Sequence, residues 1–179
     1  YCMSRSLFCD TLAHMNVDGT QIAKEIFAEL KAAVAKDDTQ YSLCAITCAP
    51  NFETQKYLEL KKRRAEAVGI VLKVVELPAD ATTKDVVQCV EQVSQTAQGI
   101  VVQLPLPEQI DREQVLRAVP THQDPDGFSY GEKRDRMLPP VVGAIDEISK
   151  RCEVEWKNKR VVVLGQGRLV GLPAARYAR

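Results

Sequence analysis

Tyr57 and Lys61 are a pair of side chains whose types and spacing could do chemistry together. They are four residues apart in a stretch predicted to be helical, so they share one face of that helix. Like charge from the neighbouring lysines and arginines, together with partial burial, would lower the pKa of Lys61 and let its amine act as an acid or base. The alternative interpretation is an ordinary solvated basic helix face.

Two further polar sites lie at the end of a predicted strand and in a loop. Gln103 ends the apolar run at 99–104, where a buried amide must find hydrogen-bond partners. It either bonds a ligand or a catalytic side chain, or it caps the backbone. Asp124 and Asp126 belong to the segment Asp-Pro-Asp-Gly-Phe, which predicts either a plain turn or a functional carboxylate.

A cluster of glycines forms the third pattern. Residues 161–164 (Val-Val-Val-Leu) predict a buried strand; glycines follow at 165, 167 and 171, and a helix-forming run begins at Ala174. Strand, glycine-rich turn and helix is the order that presents backbone N–H groups to a phosphate. The spacing G-x-G-x-x-x-G is one residue longer than the usual dinucleotide fingerprint. The acidic residue expected about twenty positions later would lie beyond the last residue.

Alternating helices and short strands must position these groups. The hydrophobic periodicity predicts helices at 18–34, 53–68, 83–97, after 111, and at 141–151. Strands are predicted at 41–49, 70–77 and 99–104. This alternation predicts an α/β domain with a parallel sheet, in which ligands bind outside the carboxyl ends of the strands. The aperiodic segment 120–140 is predicted to be a functional loop or an interdomain crossing.

Composition excludes several classes of function. Lys+Arg and Asp+Glu both number 24, and this zero net charge argues against a nucleic-acid partner. No apolar run approaches the ~20 residues that a membrane span needs. The six cysteines form no Cys-x-x-Cys pair, which argues against a metal site. We interpret them as reduced core thiols, Cys44 and Cys48 on one strand face, which suits a cytoplasmic protein.

Taken together, these motifs resemble the bifunctional methylenetetrahydrofolate dehydrogenase/methenyltetrahydrofolate cyclohydrolase family. The matching pieces are Tyr57-x-x-x-Lys61 with the Gly-Ile at 69–70, GIVVQLPLP at 99–107, DPDGF at 124–128, and the stretch 165–173. The resemblance implies an α/β fold: an N-terminal three-layer parallel-sheet folate and catalytic domain, followed by the opening strand–turn–helix of a Rossmann domain.

The resemblance also divides the chain. Residues 1–14 are interpreted as a disordered or non-native leader before a natural start at Met15, and 15–140 as the catalytic domain. Residues 141–179 are interpreted as a linker helix and the start of an incomplete NAD(P)-binding domain. The sequence is accordingly expected to be a fragment of a longer product.

Roles for four residues follow from the resemblance. Lys61 is expected to be the central acid/base of the cyclohydrolase step, and Tyr57 to stack against the folate. Gln103 is expected to hydrogen-bond Lys61 and tune its charge state. Asp126 is expected to bind the amino and ring-nitrogen donors of the pterin, a role that suits a carboxylate.

The resemblance further implies the cofactor NADP or NAD, a tetrahydrofolate derivative as substrate, and a homodimer at full length. The expected cofactor-binding residues are Gly165, Gln166, Gly167, Arg168 and Gly171. The family commonly has Arg-Ser at the positions of Gln166 and Gly167; either Arg168 replaces that arginine, or the preference shifts toward NAD. Two other functions stay open: a non-catalytic folate-binding module, and a related two-domain dehydrogenase acting on another small substrate.

Overall fold

The structure is a computed structural model that describes residues 16–36, 38–131 and 137–179. The expected leader at 1–14 and Met15 lie outside the described residues. The elements in chain order are α1 (Gly19–Val34), β1 (Ser42–Cys48), α2 (Phe52–Ala67), β2 (Val71–Leu77), α3 (Thr83–Val93), β3 (Gly99–Val102), α4 (Arg112–Ala118), a 3-10 turn (Thr121–Gln123), α5 (Pro140–Arg151) and α6 (Gly171–Tyr177). Within the described ranges, no helix has the length and apolar character to cross a membrane.

The three strands form one parallel sheet with β1 in the centre. β2 and β3 pair with β1 on either side, in registers that include Leu43↔Leu72 and Ile46↔Val102. Because helices cover both faces, the central strand is buried at five consecutive positions and β3 at all four. Apolar runs rather than alternating patterns are expected for such strands. The predicted α/β fold with a parallel sheet is confirmed.

The two faces of the sheet bury separate apolar clusters. The larger cluster packs α3 and α4 on the sheet, and its members Ile46, Ile100 and Val86 are almost fully buried. Each such side chain contributes about 1.5–3 kcal/mol on burial. Cys44 and Cys48 also lie in this cluster and are free thiols, as predicted. The smaller cluster packs α2 on the other face, through Leu58, Ala45, Leu72 and Val101.

Polar caps fix the ends of the helices. The Asn51 side chain accepts a hydrogen bond from the backbone N–H of Thr54 (2.8 Å) where α2 begins, and Gly69, at φ +86°, follows its end. The predicted third helix is shorter than expected and ends at Val93 instead of Ala97. The hydroxyls of Ser94 and Thr96 donate hydrogen bonds to the carbonyls of Glu91 and Val93. These bonds compete with continuation of the helix.

The strand predicted at 161–164 does not form, and this part of the expectation is wrong. The segment has no strand assignment, and Val162 and Leu164 are 82% and 93% exposed. A strand exists only where a neighbouring strand supplies hydrogen-bond partners, and the described sheet consists of β1, β2 and β3. The helix after the glycines is present, but it begins at Gly171, three residues before the predicted Ala174.

Helix α6 packs against α5 through Tyr177. The Tyr177 hydroxyl donates a hydrogen bond to Asp146 of α5 (2.7 Å), and its ring meets that of Trp156 edge to face at 5.7 Å. The bond to Asp146 raises the pKa of Tyr177 to about 12. Helix α6, and with it the glycine turn at 165–171, is thereby tied to α5.

Candidate active site at the carboxyl edge of the sheet

Lys61 and Gln103 meet at the carboxyl edge of the sheet. Helix α2 starts after β1 and packs back across the sheet, so that Lys61 projects from the turn after the buried Leu58. Gln103 follows β3 directly. Lys61 Nζ donates a hydrogen bond to Gln103 Oε1 (3.1 Å), and Gln103 Nε2 donates to the carbonyl of Leu104 (2.8 Å). Two residues separated by 42 positions are therefore joined, as the resemblance implied.

Burial controls the charge state of Lys61. Desolvation lowers the pKa of the Lys61 amine, and the negative charge of Asp126 opposes that shift without cancelling it. A lysine in such a setting releases its proton more readily than a solvated lysine, so it can act as a base as well as an acid. This favours the acid/base interpretation over the solvated basic face.

Tyr57 lies beside Lys61 with an open ring face. Its ring centroid is 4.8 Å from the Lys61 nitrogen, within the range of a cation–π contact. The residue is 53% exposed, so the ring remains accessible to a flat ligand. The i,i+4 spacing on α2 produces this juxtaposition directly.

Asp126 approaches Lys61 from a loop that Asp124 organises. The buried Asp124 carboxylate accepts hydrogen bonds from the backbone N–H groups of Gly127 (3.0 Å) and Ser129 (3.4 Å). Burial raises the pKa of Asp126, the Lys61 charge lowers it, and the Asp124 charge raises it again. The segment is a turn, as one of the two interpretations predicted, and it carries the Asp126 carboxylate toward the lysine.

Sequence reasoning named Asp124 without recognising that it builds the loop. The signal was its spacing, since an aspartate three residues before a glycine can accept hydrogen bonds from the following backbone. Gly127 has φ +64°, and a Cβ added there would lie 3.0 Å from the nitrogen of Pro139. Only glycine fits this position without strain.

A cleft of about 280 Å³ opens beside Asp126. Its walls include Phe128 and Pro139 on one side and Leu172 and Arg176 on the other. Arg176 donates a hydrogen bond to the carbonyl of Tyr130 (2.5 Å) across this gap. The cleft therefore separates helix α6 from the loop at 124–128, called here the aspartate loop.

The glycine turn has a shape that only glycines allow. Gly165 adopts φ +98°, and a Cβ at Gly171 would lie 2.2 Å from the Gly165 carbonyl oxygen. This close approach fits a backbone that wraps a phosphate group. Gln166 and Gly167 are exposed, and no atom within 4 Å would meet a Cβ at Gly167.

Arg168, the remaining residue of the expected cofactor set, is held by the catalytic domain. Its guanidinium forms an ion pair with Glu113 of α4 and lies 5.7 Å from the centre of the Phe128 ring. Sequence reasoning missed Glu113, because no local pattern marks it as a partner of a residue 55 positions away. In the described part of the chain, no group of three or more His, Cys, Asp or Glu side chains could hold a metal ion.

Comparison with known proteins gives a consistent result. Residues 17–126 match the family described as tetrahydrofolate dehydrogenase/cyclohydrolase, catalytic domain. The bifunctional protein FolD of Lactococcus lactis subsp. lactis is 35% identical over 171 residues, which cover 89% of this chain and 60% of that relative. The chain thus spans about 60% of the length of the curated relatives it matches.

Solved structures agree with the sequence comparison. The Trypanosoma brucei methylenetetrahydrofolate dehydrogenase-cyclohydrolase, complexed with NADP and an inhibitor, superposes with a TM-score of 0.79 at 32% identity, covering 92% of this chain and 60% of that one. The Campylobacter jejuni FolD enzyme gives a TM-score of 0.83 at 25% identity, covering 90% and 61%.

The parallel sheet places a partly buried lysine, an amide and a carboxylate together at its carboxyl edge, which defines an α/β domain with a candidate acid/base site. Together with the matched residues 17–126, it establishes the identity of that domain. The chain belongs to the tetrahydrofolate dehydrogenase/cyclohydrolase family.

Proposed function

We propose that this chain supplies the folate site and the acid/base lysine for interconverting 5,10-methylene-, 5,10-methenyl- and 10-formyltetrahydrofolate. The observation that carries the proposal is the group formed by Lys61, Gln103 and Asp126. Lys61 is desolvated, hydrogen-bonded to Gln103 and subject to the charge of Asp126, in a chain of this family. This arrangement suits hydrolysis of a cationic C=N bond, which needs a base for water and an acid for the departing nitrogen.

In the cyclohydrolase step, Lys61 in its neutral form accepts a proton from water as the oxygen attacks the methenyl carbon. The resulting hydroxyl adduct loses its second proton as the carbonyl forms and the bond from that carbon to the ring nitrogen breaks. The departing nitrogen receives a proton, and one proton is released overall. Gln103 keeps the amine aimed at the reacting carbon through its 3.1 Å hydrogen bond.

Tyr57 and Asp126 would hold the substrate. The exposed ring face of Tyr57 suits stacking against a flat folate ring, since stacked π-systems attract each other. The Asp126 carboxylate suits the paired N–H donors of a pterin, because hydrogen bonds to an ionised acceptor are strong. Both side chains adjoin Lys61, which supports a common substrate site.

The dehydrogenase step needs a nicotinamide cofactor, which when bound supplies the hydride acceptor. We propose NADP, with NAD as the alternative, at Gly165, Gln166, Gly167, Arg168 and Gly171. The close approach of Gly171 to Gly165 supports a phosphate-binding role for this turn. NAD remains the alternative cofactor because the Arg168 guanidinium, which suits the 2′-phosphate of NADP, is already paired with Glu113.

Further proposals follow for the whole protein. We propose that residues 15–140 act as the folate domain and 141–179 as a linker helix that leads into a Rossmann domain. We also propose a homodimer in the cytoplasm that has no nucleic-acid or membrane partner. The buried free thiols of Cys44, Cys48 and Cys89 support a reducing compartment.

The test is a Lys61→Met substitution assayed by loss of methenyltetrahydrofolate absorbance. The variant is expected to lose about 10²–10⁴-fold in the rate of hydrolysis, because the methionine keeps the length of the side chain but cannot move a proton. Lys62→Met is the matched control, since Lys62 is exposed on the same helix and should retain full activity.

Two outcomes would contradict the proposal in different ways. Full turnover by Lys61→Met would remove Lys61 from its role. Folate binding without any hydrolysis by the unmodified chain would favour a non-catalytic folate-binding module instead.

A further inference from the structure

Thr47 carries a buried hydroxyl that has no partner. The residue lies in the central strand β1 with no exposed surface, and its Oγ1 makes no hydrogen bond in the structure. An unpaired buried hydroxyl is destabilising, and a valine of the same shape would avoid that cost. The presence of a hydroxyl at this position therefore indicates a functional role.

The strand register puts Thr47 next to Gln103. Ile46 of β1 pairs with Val102 of β3, and the Gln103 N–H donates a hydrogen bond to the Ile46 carbonyl (2.8 Å). Continuing this register by one residue places Thr47 beside Gln103. Paired residues of neighbouring strands point to the same face. For these two residues it is the face of Ala45, because side chains two apart along a strand share a face.

The same face receives Lys61. Helix α2 packs there through Leu58, which clusters with Ala45, and Lys61 follows Leu58 by three residues. Lys61 bonds to Gln103, and Gln103 adjoins Thr47, so the unpaired hydroxyl belongs to the residue beside the one that the amine contacts. The two groups are not bonded in the resting structure, because Thr47 Oγ1 has no partner.

We propose that Thr47 is a positioning residue for Lys61, whose hydroxyl accepts a hydrogen bond from the lysine ammonium after the amine takes up a proton. This inference rests on the proposed role of Lys61. A protonated lysine has three N–H donors, and Gln103 accepts one. Lys61 is partly buried, so fewer water molecules reach the other donors and an acceptor from the protein is favourable.

The groups around Lys61 determine whether loss of the Thr47 hydroxyl should raise or lower the pKa of the amine. The Asp126 carboxylate favours the charged amine, and burial disfavours it. Gln103 accepts a hydrogen bond, and the Tyr57 ring lies 4.8 Å away. A hydroxyl acceptor favours the charged form as well. Removing it therefore lowers the pKa of Lys61 further, by about one unit if one hydrogen bond to a charged group is lost.

The experiment follows the lysine Cε and Nζ signals by NMR through a pH titration, in protein labelled at lysine and free of folate. Lys61→Arg identifies the Lys61 signal. In Thr47→Val the Lys61 midpoint is expected to fall by about one pH unit, and in Thr47→Ser, which keeps the hydroxyl, to stay within a few tenths of the unmodified value. Thr47→Ala serves as a second hydroxyl-free variant if Thr47→Val folds poorly.

An unchanged or raised Lys61 midpoint in folded Thr47→Val would overturn the proposal. That result together with a higher melting temperature would mean that the hydroxyl is only a structural cost. Because this titration needs no turnover, it can succeed or fail whether or not the chain hydrolyses methenyltetrahydrofolate. Where turnover is present, the acid limb of its pH profile should shift to lower pH in Thr47→Val.

Discussion

One physical cause, burial, shifts Lys61 and Asp126 in opposite directions. It lowers the pKa of the amine and raises the pKa of the carboxyl, while each charge partly offsets the shift of the other. The two pKa values are drawn toward each other from their ordinary ranges. A pair of this kind supplies both a proton acceptor and a ligand for N–H donors at one site.

The charge of Asp126 should make folate binding depend on pH. If the carboxylate accepts the pterin donors, it must be ionised, and its raised pKa means that protonation begins at a higher pH than for a solvated aspartate. The affinity for a folate analogue, measured by calorimetry, is therefore expected to fall as the pH decreases through that raised pKa. Asp126→Asn should weaken binding by about 10–100-fold and flatten this pH dependence.

Asp80→Asn is the control for this measurement. Asp80 is exposed, so the variant should bind the analogue with the affinity and pH dependence of the unmodified chain. An Asp126→Asn variant that binds as tightly as the unmodified chain at every pH would remove Asp126 from the pterin site.

For individual residues, the sequence indicated the candidate site residues better than it indicated their contacts. Spacing suggested the Tyr57–Lys61 pair, the strand end suggested Gln103, and the Asp-Pro-Asp-Gly segment suggested Asp126. The resemblance supplied their expected roles. The sequence did not reveal the unpaired hydroxyl of Thr47 or the pairing of Glu113 with Arg168. Those features depend on strand register and on contacts between distant segments, which no local pattern encodes.

Most helices and strands were predictable from their hydrophobic pattern and, for the helices, from the residues at their ends. Helix α2 has an asparagine cap at one end and a glycine at the other, and the buried strand β3 reads as an uninterrupted apolar run. The strand at 161–164 had only its composition in its favour. A strand needs a partner, and the composition of one segment does not show whether a partner is present.

The aspartate loop is the element whose backbone matters most to the site. Gly127→Ala is expected to lower the free energy of unfolding by about 1–3 kcal/mol, because the residue has a positive φ and the new methyl group would press on Pro139. Chemical denaturation measures this loss. The same variant should weaken binding of the folate analogue, since the loop carries Asp126.

Gly143→Ala provides the matched control for that change. Gly143 lies inside α5, and a Cβ there would meet nothing within 4 Å. Alanine should therefore stabilise the chain by about 0.5–1 kcal/mol. Equal changes in the free energy of unfolding for the two substitutions would show that the backbone conformation of Gly127 does not disfavour alanine.

For the molecule as a whole, a few polar contacts join the sheet to the C-terminal segments. Arg151 of α5 pairs with Glu25 of α1, Arg168 pairs with Glu113, and Arg176 bonds the carbonyl of Tyr130. Partly exposed ion pairs of this type typically contribute about 0–1 kcal/mol each. The glycine turn is thus attached to the catalytic domain by weak contacts, although the sheet itself has a continuous apolar core.

The same region exposes a group of apolar side chains, called here the apolar strip: Val161, Val162, Leu164, Leu169, Val170 and Leu172. Val162, Leu164 and Leu169 are 82%, 93% and 53% exposed. A surface of contiguous apolar groups binds hydrophobic dyes and promotes self-association. The 179-residue chain is expected to enhance the fluorescence of anilinonaphthalene sulfonate and to sediment faster as its concentration rises.

Changing Val162 and Leu164 together to lysine should reduce both signals with little change in melting temperature, because neither side chain is packed in a core. Val74→Lys is the control: Val74 is 43% exposed on the edge strand β2, outside the strip, and lysine is well tolerated on edge strands. If dye binding and sedimentation were unchanged in the double lysine variant, the apolar strip would not be the surface responsible. A fall in melting temperature would mean that these residues contribute to a packed structure.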